Sequence, residues 1–190
     1  MTRHPPLAVA QAIAAEVKRR LIFRANADGR LRDYEVISVG SVRRQAPRVK
    51  DIDFLIVAPV NEIESALAAA TLRAPRAGDV VSFGRDYAAG PRRRSLILRV
   101  KSRASLALQY RADLFVTAAA EKPYALYHYT GPKEYNIRIR AHVKRRGWRL
   151  NQYGLFSVVT GHRVQGSNVR SERALSKFIG VTYRPPTQRA

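Results

Sequence analysis

The stretch VGSVRRQAPRVKDIDFLIV, residues 39–57, places two aspartates, Asp51 and Asp53, at the mouth of an apolar run in a chain that is otherwise strongly basic. DIDFLIVAP reads as a β-strand stopped by Pro59, and on a strand residues i and i+2 share a face. Both carboxylates therefore point to one spot. Like charges that close are costly without a cation. For an isolated D-x-D an arginine salt bridge is a sufficient explanation, but three further features shift the reading. Asp113, in RADLFV, is another acid entering an apolar strand run. Gly40 and Ser41 stand eleven and ten residues before Asp51, where the strand YEVISVGS breaks. A glycine there permits close backbone approach, and the serine hydroxyl can donate to a phosphate oxygen. Arg43 and Arg44 follow, and guanidinium forks match phosphate. Three carboxylates converging at strand ends suit two hard divalent cations, which prefer oxygen ligands. Such a pair can activate an attacking hydroxyl and stabilise a leaving pyrophosphate.

Composition narrows the partner. A chain of 190 residues holds one good core, or two small subdomains sharing a cleft, and the second is preferred. Thirty-five Lys and Arg against fourteen Asp and Glu give a formal charge of +21. That excess points to a polyanion, and nucleic acid comes first. No apolar run approaches the ~20 residues of a spanning helix, and the N-terminus lacks the order of segments of a signal peptide, so no membrane role is expected. The absence of cysteine removes disulfides, thiolate catalysis and Cys-based zinc sites, and fits an intracellular, reducing setting.

The organisation expected along the chain is α+β. Val9, Ile13, Val17 and Leu21 recur every four residues and predict a first helix with a basic end. Asn61 and Glu64 form a capping pair for a helix over EIESALAAATL. RAGDVVSFG and RSLILRVK read as strands around an AAGPRRR turn, and SLALQYRADLFVTA as a longer strand. From residue 119 the pattern becomes mainly helical. KEYNIRIRAHVKRRG is a helix stopped at Gly147, YGLFSVVTGHRVQG a small hairpin turning at Thr160 and Gly161, and Ser171 caps a last helix ending at Gly180. Residues 1–118 and 119–190 are thus read as two subdomains. The second carries fourteen basic residues against three acidic, so both halves face the same kind of partner.

G-S-x-R-R followed by D-x-D, with ADLFVTAAAEKPYALYHYTGPKEYNIRIRAHVKRRGWRLNQYGLF in the second half, resembles the nucleotidyltransferase superfamily. Within it the chain is similar to the family X DNA polymerases, most of all a small viral member, over nearly its whole length. The resemblance implies a palm of mixed sheet and helices over 1–118 and a nucleotide- and DNA-binding subdomain over 119–190. It implies that Asp51, Asp53 and Asp113 are the catalytic, metal-binding carboxylates for two Mg2+ or Mn2+ ions, with Asp113 helping to activate the primer 3′-hydroxyl. Gly40, Ser41 and Arg44 match the loop holding the incoming dNTP. HYTG, with His128 and Gly131, occupies the place of an aromatic-rich turn near the sugar and base, and His128 stands where many members carry tyrosine. Asn136 and Arg140, four apart on the next helix, match residues that contact the nascent pair in the minor groove. Lys133 departs from the acidic residue common in the larger enzymes.

The lyase domain of larger repair members is expected to be missing, because few residues precede Gly40. Gapped or nicked duplex DNA would then be held by the two subdomains of a monomer, through Arg138, Lys144, Arg145, Arg146 and Arg184. If the protein is viral, the host cytoplasm, a virus factory or the virion is its expected place. Extra residues lie between Asp53 and Asp113. Arg92 to Arg94 and Lys144 to Arg146 also read as ordinary solvated faces, and His128 as a packed histidine. Two other functions stay open: a template-independent or RNA-directed nucleotidyltransferase, and a DNA-binding scaffold without chemistry.

Overall fold

The computed structural model describes residues 5–24, 31–72, 81–101 and 107–189. Helix α1 (Leu7–Arg20) turns Ala10, Ile13, Ala14 and Val17 into the core, the 3–4 spacing of an amphipathic helix. Leu21 does not extend that stripe. It opens strand β1 (Leu21–Arg24), which pairs with the short β2 (Leu31–Arg32) and with β5 (Ala70–Leu72). Val9 is exposed. The expected four-residue stripe is therefore corrected: pairing of Leu21 with Leu72 overrides helical periodicity at the helix end.

The main sheet is mixed, in the order β3-β4-β8-β7-β6, with β3 (Glu35–Ser38), β4 (Asp51–Ala58), β6 (Val81–Gly90), β7 (Arg93–Lys101) and β8 (Ala107–Ala118). Only β4 and β8 run parallel. Between β3 and β4 lies a single turn of helix, α2 (Gly40–Arg43). After Pro59, a 3-10 turn, Val60–Glu62, leads into α3 (Ile63–Ala69). No side chain caps α3, and its N-cap is Glu62, so the expected Asn61–Glu64 pair is corrected. The turn displaces the helix start past Asn61, and ATL leaves the helix to pair with β1. The residues between Asp53 and Asp113 thus build α3, β5 and the β6–β7 hairpin. That hairpin turns at Pro91 and Arg92 rather than over the whole of AAGPRRR. Residues 73–80 and 102–106, parts of the expected strands, lie outside the described residues.

A second core follows. It is built by α4 (Lys122–Thr130), α5 (Lys133–Lys144), the hairpin β9 (Trp148–Asn151) and β10 (Gly154–Ser157), and α6 (Glu172–Phe178). Gly147, with φ +71°, follows α5, and Ser171 caps α6 by accepting from the Ala174 amide. The hairpin turns at Gln152 and Tyr153, where the Asn151 side chain accepts from the amides of Tyr153 and Gly154. The chain also turns at Thr160 and Gly161 as expected, where Phe156 bridges Arg163 antiparallel, the Ser157 amide donates to the His162 carbonyl and the Val164 amide to the Leu155 carbonyl. The asparagine's local hydrogen bonds fix the earlier turn, which adds β9 to the expected hairpin.

The first core draws on residues from Ala10 to Ala118 and the second on residues from Tyr124 to Ile179. Val39, Leu55 and Ala125 form a third buried patch between them, and Tyr129 stacks on Phe115 at 4.0 Å. Arg43 completes the join with an ion pair of 2.5 Å to Glu172. Among the described residues no helix is long and apolar enough to cross a membrane.

Candidate active site

The parallel pairing of β4 with β8 sets Asp53 beside Asp113 and Asp51 beside Arg111. At the start of β4 burial alternates, with Ile52 and Phe54 in the core and Asp51 and Asp53 on the other face. Strand β7 runs antiparallel on the far side of β8 and brings Ser95 opposite Asp113. The Ser95 hydroxyl donates to one carboxylate oxygen of Asp113, and Arg93 donates to the other at 2.9 Å. Asp113 is 8% exposed.

Burial pushes the pKa of Asp53 up to about 7, and the charges of Asp113 and Asp51 add to the rise against the opposing pull of Arg44 and Arg93. The Oδ1 of Asp51 is buried and accepts no hydrogen bond, although the Arg111 Nε stands 3.5 Å away. Among the described residues no three His, Cys, Asp or Glu side chains form a ready-made ligand cluster. Asp113 is turned toward Ser95 and Arg93 instead. The donor set nevertheless fits a hard cation chemically: all its atoms are carboxylate oxygens, one is orphaned, and their repulsion is only partly met by arginine.

Gly40 opens α2 with φ +59°, a left-handed conformation that favours glycine, and the turn approaches Asp53 closely. Ser41 and Arg44 line the same cleft. Arg44 donates to the Thr130 carbonyl, and burial lowers its pKa from the usual arginine value while Asp53 and Glu134 oppose the shift. Arg43 departs from the expected phosphate role. It turns away to the Thr130 hydroxyl and Glu172, because successive helical residues cannot face the same way.

The opposite wall comes from the end of α4 and the start of α5. Gly131, with φ +65°, follows Thr130, and its bond to Pro132 is cis. The Asn136 side chain donates to the His128 carbonyl at 2.7 Å, and Arg140 reaches the His128 Nδ1 at 2.6 Å. Burial, and secondarily Arg140, lower the His128 pKa to about 4. The ring is therefore neutral at pH 7, with Nδ1 accepting from the guanidinium and the proton assigned to Nε2. All ten residues expected for catalysis and nucleotide binding line one cleft of about 790 Å3. Sequence reasoning missed Arg48, Lys50, Arg93 and Ile137, which line it too, and Ser95, which holds Asp113. Arg93 and Ser95 become visible only through the β7–β8 register.

The five cations nominated for DNA stand outside that cleft. Arg138 and Arg184 share a separate groove of about 640 Å3 with Tyr135, His142, Gly180 and Thr182. Lys144 and Arg145 are exposed at the end of α5. Arg146 donates to the Ile179 carbonyl at 2.8 Å and lies 4.7 Å over the Trp148 ring. That pairing ties the end of α5 to the end of α6, while Arg146 stays exposed like Lys144 and Arg145.

Comparison with known proteins accords with this architecture. The family model described as DNA polymerase beta thumb matches residues 125–190. Repair DNA polymerase X of African swine fever virus, isolate Pretoriuskop Pr4, is 36% identical over 178 residues, covering 93% of this chain and 94% of that protein. The DNA polymerase/3′-5′ exonuclease PolX of Bacillus subtilis is 29% identical over 147 residues, 77% of this chain and 23% of its own. The crystal structure of Leishmania infantum polymerase beta in a ternary P/T complex superimposes with a TM-score of 0.68 at 19% identity, covering 99% of this chain and 77% of the other. Family X polymerases are metal-dependent enzymes. With over a third of its residues shared with a viral member along almost the full length of both, and the fold of polymerase beta, the chain belongs to the family X DNA polymerases.

Proposed function

We propose that this polymerase fills short gaps in duplex DNA, adding a templated dNTP to a primer 3′-hydroxyl. The observation that carries the reading is the pairing of Asp53 with Asp113 directly beneath Gly40, which sets the carboxylates against the loop suited to a triphosphate. Asp51, Asp53 and Asp113 would hold two divalent cations, Mg2+ or Mn2+. When bound, these supply positive charge at the reacting phosphate and lower the pKa of the attacking hydroxyl.

The chain's own residues do the positioning. Ser41, the Gly40 backbone and Arg44 grip the triphosphate, while Asp113 orients the primer hydroxyl. A bond forms between the primer 3′-oxygen and the α-phosphorus, the bond to the β-phosphate bridge breaks, and pyrophosphate leaves. Neutral His128, held by Asn136 and Arg140, presents its ring edge to the sugar side of the nucleotide. Asn136 and Arg140 lie one helical turn apart, as residues probing one base pair must. Residues 1–118 act as the palm and 119–190 as the nucleotide- and DNA-binding subdomain of a monomer, with Arg138, Arg184, Lys144 and Arg145 on DNA phosphates.

The test is primer extension on a one-nucleotide gap with each dNTP singly, beside Asp51→Asn and Asp113→Asn and a template-free control. Each variant should lose addition while keeping affinity for gapped DNA. Activity surviving either change would remove the metal site, and addition without template would move the protein to terminal transfer.

A further inference from the structure

Six cations, Arg44, Arg48, Lys50, Arg93, Lys133 and Arg140, line the catalytic cleft against three carboxylates. Three of the six are already engaged: Arg44 donates to the Thr130 carbonyl, Arg93 to Asp113, and Arg140 to the His128 ring. Arg48 and Lys50 are exposed, and among the described residues neither side chain has an ion-pair or hydrogen-bond partner. Asp51, the acid next to them in the chain, faces Arg111 at 3.5 Å instead.

The backbone that carries these two cations is nonetheless pinned. The Ala46 amide donates to the Ser41 carbonyl at 3.0 Å, which folds the segment after α2 back onto the glycine-serine loop. The Val49 amide donates to the Pro5 carbonyl at 3.2 Å, and Arg48 bridges Pro6. Val49 is wholly buried between the two exposed cations, and its burial anchors both at the rim of the cleft. Two like charges on one short loop repel each other, and an anion between them relieves the repulsion.

Resting on the polymerase reading above, we propose that Arg48 and Lys50 form an outer phosphate subsite beyond Gly40, Ser41 and Arg44, which extends the substrate class to deoxynucleoside 5′-tetraphosphates. A nucleotide with its sugar at His128 and its triphosphate on Gly40, Ser41 and Arg44 runs from the α5 wall of the cleft to the α2 wall. Its phosphate end therefore meets the segment bonded to Ser41, where Arg48 and Lys50 stand. A guanidinium and an ammonium can both donate to the oxygens of one further phosphate. With the longer substrate the primer 3′-oxygen bonds to the α-phosphorus and the bond from that phosphorus to the α–β bridging oxygen breaks. The hydroxyl proton passes to water, and tripolyphosphate leaves in place of pyrophosphate.

The test compares a deoxynucleoside tetraphosphate with the matching triphosphate, as substrates on a one-nucleotide gap and, by calorimetry in Mg2+, as ligands of the full chain without DNA. The unaltered protein should show the lower KM and the lower Kd for the tetraphosphate. Arg48→Gln with Lys50→Gln should remove that preference, lowering the ratio of kcat/KM for tetraphosphate over triphosphate by about tenfold, the order of one charge-assisted hydrogen bond. Arg48→Lys with Lys50→Arg should restore the ratio, which a loss of folding would not allow. No preference in the unaltered protein, or an equal loss with both nucleotides in the variant, overturns the subsite; the second result would assign the two cations to the triphosphate itself or to DNA. Templated addition of the triphosphate tests the polymerase reading separately. A calorimetric preference for the tetraphosphate without any addition would leave the subsite standing while that reading falls.

Discussion

A Cβ placed on Gly40 would run into the Oδ2 of Asp53, so the first residue of α2 and the central carboxylate of β4 meet in a space that only glycine leaves free. Gly40→Ala must push Asp53 aside and also carries a strained positive φ. Nucleotide addition should fall by at least about 100-fold, the order expected when reacting groups shift by about 1 Å. Circular dichroism should remain native, and single-turnover gap filling measures the loss.

Metal should stabilise the protein more strongly as pH rises. Without a cation the Asp53 pKa is about 7, above its unfolded value. A raised carboxyl pKa contributes stability that is full below the unfolded value of about 4 and is lost as pH rises through about 7. A bound cation prefers the carboxylate and reverses that loss. Thermal melts with and without Mg2+ should therefore show a larger shift at pH 8 than at pH 6. Equal shifts at both would remove Asp53 from the metal site.

His128 should titrate near pH 4, well below an ordinary histidine. A depressed pKa gives a contribution present above the unfolded value of about 6.5 and lost as pH falls toward 4. The stability of the protein relative to His128→Phe should decline over that window. Arg140→Ala should raise the midpoint, since the guanidinium is one of the two causes of the shift, although burial remains the larger. The imidazole proton shifts in NMR read both effects.

Glu172→Gln should destabilise the join between the two cores. Glu172 meets Arg43 at 2.5 Å and Arg189 at 2.9 Å, and the Arg189 side chain is fully enclosed beside Tyr127 and Tyr135. Removing the carboxylate leaves buried cations uncompensated, a change that costs about 3–5 kcal/mol in comparable pairs. Urea unfolding measures it. Because Arg43 is next to Arg44, the KM for dNTP should also rise.

Much of the site can be read in the order of residues. Period-two alternation across DIDFLIVAP sets Asp51 and Asp53 on one face whatever they pack against, and the break at Gly40 follows from local backbone chemistry. Helix α5 and its stop at Gly147 are equally local. The errors cluster where a distant segment decides. Leu21 leaves a helical pattern to pair with Leu72, and Arg43, next to Arg44 in the chain, turns away to Glu172.

The carboxylates, the glycine-serine loop and the basic excess are legible in the chain alone, because each is written in short-range spacing or in composition. That Asp53 lies beside Asp113, that Arg93 and Ser95 hold Asp113, and that Asn136 and Arg140 converge on His128 follows from long-range pairing. Those relations depend on the register of strands and on the faces of helices far apart in the chain. A one-residue slip would turn every side chain on a strand to the other face, and local pattern alone carries no record of which residue of β8 or β7 stands opposite.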